Sequence, residues 1–151
     1  MIHHELAALP PAKSPDFLRV VSGTDAHGRP LEFEIAESAV LVVVSRECNH
    51  CLKQLREFRA LYDGDIFRRY GVTLIVLSLQ SGDVPSFEDI ADGERVHLAF
   101  DSGGSFFMET FGSSGLPVVA YIKSSGCVAY QRSGFRTGDL DRELIRRVFG
   151  S

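Results

Sequence analysis

The sequence predicts an α/β domain in which a central mixed sheet carries helices on both faces. Three observations predict it. The runs Ala39–Val44 and Val72–Leu79 are almost wholly apolar and β-branched, as strands covered on both faces are. Between them lies a stretch of helical period, so this part of the chain alternates strand, helix, strand and calls for parallel pairing. Nearer the C-terminus, Pro117–Lys123 and Cys127–Arg132 are separated by Ser124-Ser125-Gly126, which is hairpin spacing and adds an antiparallel edge.

The remaining elements follow in order. Residues 1–13 hold two prolines and little pattern, and are expected to form a loose arm ahead of a domain over 14–151. Asp16–Val21 is expected as a short strand, and Ser22–Pro30, with two glycines, as a turn-rich loop. Leu31, Phe33 and Ile35 alternate with Glu32 and Glu34, which is a strand pattern. From Asn49 the apolar period lengthens: Cys51, Leu55, Phe58 and Tyr62 recur at helical spacing, with Lys53, Gln54, Arg56, Glu57 and Arg59 assigned to the wet side. Gly71 stops a further turn before the second buried run. A short helix is expected at Ser86–Ala91, capped by Ser86. Val96–Phe100 reads as a strand and Ser105–Phe111 as a short helix ended by Gly112. Asp139–Phe149 is a terminal helix with Leu140, Leu144, Ile145 and Val148 on one face.

Composition bounds the function. The chain has 151 residues, 44% hydrophobic and 24% charged, with a net charge of −4, an ordinary globular balance that can bury one core. Basic residues are interspersed with acids, which gives no footprint for nucleic acid. No apolar run approaches the roughly 20 residues of a membrane span, so no membrane insertion is expected. The first 15 residues lack an apolar core of secretory type. The chain as given is therefore expected in the cytoplasm, or in the periplasm or another extracytoplasmic space if a signal segment has been removed. It is expected to act as a monomer.

Three cysteines are too few for a disulfide scaffold, and two of them form Cys48-Asn49-His50-Cys51. This CxxC follows a buried strand and opens a helix. Sulfur at a helix N-terminus faces unpaired amides and the positive end of the dipole, which favour thiolate over thiol. Thiol–disulfide exchange needs an exposed thiolate to attack and a second thiol close enough to resolve the mixed disulfide. Cys48 is therefore assigned as the attacking cysteine and Cys51 as the buried resolving one. His50 between them can donate to the thiolate or stand near it as a cation. Glu47 acts in the opposite direction, and Arg46 partly offsets it. No cofactor and no metal are expected: zinc needs four ligands, and Cys127 and His97 follow no ligand spacing. Cys127 is expected as a small buried hydrophobe, His97 as a core histidine, and Phe106, Phe107 and Phe111 as core.

Taken together, the strand, the CxxC, the helix, GVTLIVLSL, VHLAFDSGG and FGSSGLPVVAYIKSSGCVAYQRSG resemble a thioredoxin-like protein. The similarity is greatest to the TlpA-like (redoxin-related) thiol–disulfide oxidoreductases and runs from about Ser14 to Phe149. It implies a thioredoxin-like fold with an N-terminal β-hairpin extension, carried by the SPDF start and the GRPLEF segment. It implies protein or small-molecule thiols and disulfides as partners. It also implies that Pro117 is a cis-proline beside the CxxC and that Leu116 contacts substrate through its backbone. Three positions depart from the pattern: Glu47 stands where the family has Trp, Val42 where thioredoxin has a buried acid, and Arg56 where a kink-forming proline is common. Two other functions compete. Ser45-Arg46-Glu47-Cys48 satisfies the S-x-x-C part of a peroxiredoxin-like peroxidase motif, although Leu41 replaces its proline. A metal-binding module using Cys48, His50 and Cys51 is the other.

Overall fold

The computed structural model describes residues 12–90 and 93–150. The elements are β1 (Val20–Thr24), β2 (Pro30–Glu34), β3 (Ser38–Val44), α1 (Asn49–Asp63), α2 (Ile66–Arg69), β4 (Val72–Ser78), β5 (Val96–Phe100), α3 (Ser105–Phe111), β6 (Val118–Ile122), β7 (Val128–Ser133) and α4 (Gly138–Phe149). Seven strands form one sheet in the order β2-β1-β5-β4-β3-β6-β7. β3 pairs in parallel with β4, and β4 in parallel with β5, while β6 runs antiparallel beside β3. The β1–β2 hairpin extends the sheet on the far side through Thr24 opposite Phe100.

Alternation of side chains divides the strands between two cores. Val40, Val42, Val44, Leu74, Val76, Val119 and Tyr121 face α1, α2 and α4, where they meet Leu55, Phe58, Phe67, Leu144 and Ile145. Leu41, Val43, Ile75, Leu77, Val118 and Ala120 face α3 with Phe107 and Phe111. Both faces of β3 are therefore dry, which is why its sequence reads as an unbroken apolar run. Asp101 fixes the start of α3: its buried carboxylate accepts from the main-chain N–H groups of Phe106 and Phe107, at 3.3 and 2.8 Å.

Several local expectations are corrected. The first strand lies later than Asp16–Val21, because Phe17 and Leu18 are drawn to the β6–β7 turn: Phe17 bridges Cys127, and Leu18 N–H donates to the Gly126 carbonyl at 2.8 Å. Part of the expected 22–30 loop is strand instead. Gly23 belongs there because a Cβ at its position would lie 2.6 Å from the Phe100 carbonyl oxygen, so only glycine lets β1 close on β5. The expected Ser86–Ala91 helix is a pair of turns over its described residues, 86–90, and Ala91 lies outside them. Ser86 has φ +70, which is not the extended backbone of an N-cap. Arg59 instead ties this segment to α1: it donates to the Ser86 carbonyl at 2.7 Å and to the Asp89 carboxylate at 2.6 Å.

Of the arm expected over 1–13, residues 1–11 lie outside the described residues. Ala12 N–H donates to Ser114 Oγ at 2.6 Å, and Lys13 N–H to the Phe111 carbonyl at 2.9 Å. Among the described residues no helix is long and apolar enough to cross a membrane.

Candidate active site

β3 ends at Val44, and a tight turn carries the chain into α1: Cys48 N–H donates to the Ser45 carbonyl at 3.2 Å. Gln80, just past β4, organises this turn. Its Oε1 accepts from Arg46 N–H at 2.7 Å and from the Ser45 hydroxyl at 3.2 Å, while its Nε2 donates to the Glu47 carboxylate at 3.3 Å. Glu47, the charge that opposes a thiolate at Cys48, is thus engaged by an amide. Nothing in the sequence marked Gln80, since its partners lie 33–35 residues away.

Cys48 is itself the N-cap of α1, with extended backbone at φ −102 and ψ 111. Its Sγ accepts the Cys51 N–H at 3.1 Å, as a capping oxygen would. On its other side the thiol donates to the Leu116 carbonyl at 3.7 Å. The Leu116–Pro117 peptide bond is cis. This segment is braced by the end of β7: Gly134 N–H donates to the Pro117 carbonyl at 2.8 Å and the Ser133 hydroxyl to the Gly115 carbonyl. Two distant stretches of sequence, 48–51 and 116–117, thus meet at one sulfur.

The two cysteines are unequal. Cys48 is partly exposed, whereas Cys51 is wholly buried among the α1 core residues. Burial pushes the Cys51 thiol well above the usual range, with the hydrogen bond to Cys48 adding to it and a main-chain hydrogen bond from Ser45 working against it. Val42, buried in the same cluster, puts a hydrocarbon and no acid there. A stability prediction follows. In the unfolded chain Cys51 ionises from its ordinary value of about 8.5 upward, while in the folded dithiol it stays protonated. Its contribution is therefore full below about pH 8.5 and is lost as pH rises through the folded value, at about 1.4 kcal/mol per pH unit. Urea unfolding of the reduced protein at pH 7 and pH 10 checks it: Cys51→Ala should lose less stability than the parent between the two.

His50 lies on α1 between the two cysteines. It is exposed in the first turn of α1, and its ring stacks against Phe135, with centroids 6.5 Å apart and planes 21° apart. Among the described residues no hydrogen bond joins His50 to Cys48. Gln54 is a correction: read as a wet-side residue, it is completely buried. It contacts a group the sequence reading missed. Arg132 on β7 and Asp141 on α4, both wholly unexposed, form a two-pronged pair at 2.9 and 3.0 Å. Arg132 also donates to Gln54 Oε1 at 3.0 Å, and the Tyr121 hydroxyl donates to Asp141 at 2.6 Å. The signal was present. Gln54 falls at the i, i+3, i+4 spacing of Cys51, Leu55 and Phe58, and Asp141 at that of Leu144 and Ile145, so each is a polar residue inside an apolar stripe.

Cys127 is half-buried at the opposite end of β6 from Pro117, and His97 stacks on Phe33 at 4.7 Å. Among the described residues no three His, Cys, Asp or Glu side chains are grouped to hold a metal ion.

No protein-family model matches the chain, and no curated protein matches it in sequence. Solved structures do match it. A thioredoxin-family thiol:disulfide interchange protein from Chlorobium tepidum is 16% identical over 91% of this chain and 98% of its own, with a TM-score of 0.64. The thioredoxin domain of a thiol-disulfide oxidoreductase from Bacteroides vulgatus is 14% identical over 93% and 99%, with a TM-score of 0.65. A thiol peroxidase from Chromobacterium violaceum is 17% identical over 93% and 91%, with a TM-score of 0.64. At such identities the likeness is one of architecture, and that architecture, with its seven-stranded mixed sheet and N-terminal hairpin, is the thioredoxin-like fold.

Proposed function

We propose that this chain is a thiol–disulfide oxidoreductase acting on protein or small-molecule disulfides, with Cys48 attacking and Cys51 resolving. The observation that carries the reading is the inequality of the two sulfurs. One caps a helix at the surface beside the Leu116–Pro117 segment, and the other lies buried one turn behind it. The Cys48 thiolate attacks one sulfur of a disulfide R–S–S–R′. A Cys48–S–S–R bond forms and R′–S⁻ departs. Cys51 then loses its proton to the departing thiolate, since Val42 supplies no acid–base group behind it. The Cys51 thiolate attacks Cys48 Sγ and releases R–S⁻. The substrate gains two electrons and the protein closes the Cys48–Cys51 disulfide. Run backwards, the same steps oxidise a dithiol. We propose further that an extended substrate pairs with the main chain of Leu116, whose carbonyl lies beside Cys48.

The thiol peroxidase among the structural matches, together with Ser45 ahead of Cys48, frames the test. Insulin reduction driven by dithiothreitol is expected to accelerate in proportion to added protein, with hydrogen peroxide consumed no faster than by an ordinary thiol. Rapid peroxide consumption with no insulin reduction would replace this reading by the peroxidase one.

A further inference from the structure

The loop between β7 and α4 is tied down on both sides of Phe135. Gln54 Oε1 accepts the Arg136 N–H and Gln54 Nε2 donates to the Arg136 carbonyl, both at 3.1 Å, so one buried amide holds both polar groups of that residue. Arg132 Nε donates to the Gly134 carbonyl at 3.3 Å. Glu57, one turn beyond Gln54 on α1, accepts the Gly138 N–H. Arg132 and Gln54 are themselves locked to each other and to Asp141 in a region with no solvent access. The main chain flanking Phe135 is thus fixed to α1, the helix that carries the CxxC. The ring it presents stacks on His50, inside the roughly 4.5–7 Å range of offset aromatic pairs. The neighbours of the Cys48 sulfur are meanwhile the Cys51 amide and the Leu116 carbonyl.

We propose that Phe135, fixed by the buried Gln54 clamp, is a positioning residue that holds His50 off the Cys48 sulfur and keeps the Cys48–Cys51 couple more reducing. An imidazole released from the stack is two residues from Cys48 and can donate to its thiolate. A stabilised thiolate favours the reduced protein, which makes the disulfide the stronger oxidant. The inference rests on the exchange reading above and adds a setting of its potential.

The experiment equilibrates the full chain in glutathione buffers and counts free thiols by alkylation and mass. Four proteins are compared: the parent, Phe135→Ala, His50→Asn and the double variant. Phe135→Ala should move the equilibrium about tenfold toward the reduced protein, about 30 mV more oxidising. In the His50→Asn background the same change should move it less than twofold, because the group being released is gone. Phe135→Leu, which keeps apolar bulk and loses the aromatic face, should shift in the same direction if the alanine variant does not fold. A shift of equal size with and without His50, or none in either background, overturns the proposal while leaving exchange intact. A parent protein that forms no Cys48–Cys51 disulfide in oxidising buffer overturns the exchange reading instead.

Discussion

Replacing Cys48 with serine will reduce insulin reduction to the uncatalysed rate, whereas replacing Cys51 will leave a protein that attacks but cannot let go. The difference comes from exposure and placement. Cys48 Sγ sits at the surface on the α1 N-cap, where the Cys51 amide points at it. Cys51 has no solvent access and cannot meet an incoming disulfide. Its part begins only after a mixed disulfide has formed one turn away. Incubating Cys51→Ser with oxidised glutathione should therefore accumulate one glutathionyl group per chain, mapped by peptide mass to Cys48. The parent under the same conditions should release the adduct and close its own disulfide. Cys127 is the internal control. It is half-buried at the other end of β6 and should label only at the rate of an ordinary thiol. An adduct that forms first on Cys127, or a Cys51→Ser protein that stays unmodified, would falsify the assignment of roles.

The order of strands and helices around this site was legible because its signals are local. The run through Val44 demands a strand dry on both faces, and the spacing of Cys51, Leu55 and Phe58 demands a helix directly after it. Those two facts place the CxxC at a helix start with no knowledge of the rest of the chain. Leu116 and Pro117 needed the family resemblance, since no local pattern tells that the Leu116 carbonyl meets Cys48. The buried polar group was missed because its members are far apart: Arg132 meets Gln54 across 78 residues. Charged residues are rarely buried without a partner, so each one viewed alone is assigned to the surface. Ser86 failed for a related reason, since Arg59, a distant side chain, holds its carbonyl and the Asp89 carboxylate in a turn where Ser86 has a positive φ. The ring of His50 stacks on Phe135, which lies 85 positions later, so no local pattern could give its direction.

Asp141→Ala should be strongly destabilising. The Arg132 guanidinium and the Asp141 carboxylate have no exposed surface, and their two hydrogen bonds are supplemented by the Tyr121 hydroxyl and the Gln54 amide. Burial and the neighbouring carboxylate push the Tyr121 phenol well up from its ordinary value, so it stays neutral and keeps donating to Asp141. Removing the carboxylate leaves a guanidinium in the core with no counter-charge, a loss of about 3–5 kcal/mol. For a domain of this length, with a shift of about 2–4 °C per kcal/mol, the unfolding midpoint should fall by roughly 10 °C. Asp139→Ala, two residues from Asp141, removes only the exposed partner of Arg142 and should leave the midpoint unchanged within error. The control that isolates the charge is Arg132→Met combined with Asp141→Leu. Replacing both partners with apolar residues of similar volume removes the unpaired ion and should recover most of the stability. If Asp141→Ala melts with the parent, the pair is not buried as described. If the double variant is as unstable as the single, the loss comes from the Gln54 and Tyr121 contacts rather than from the stranded charge.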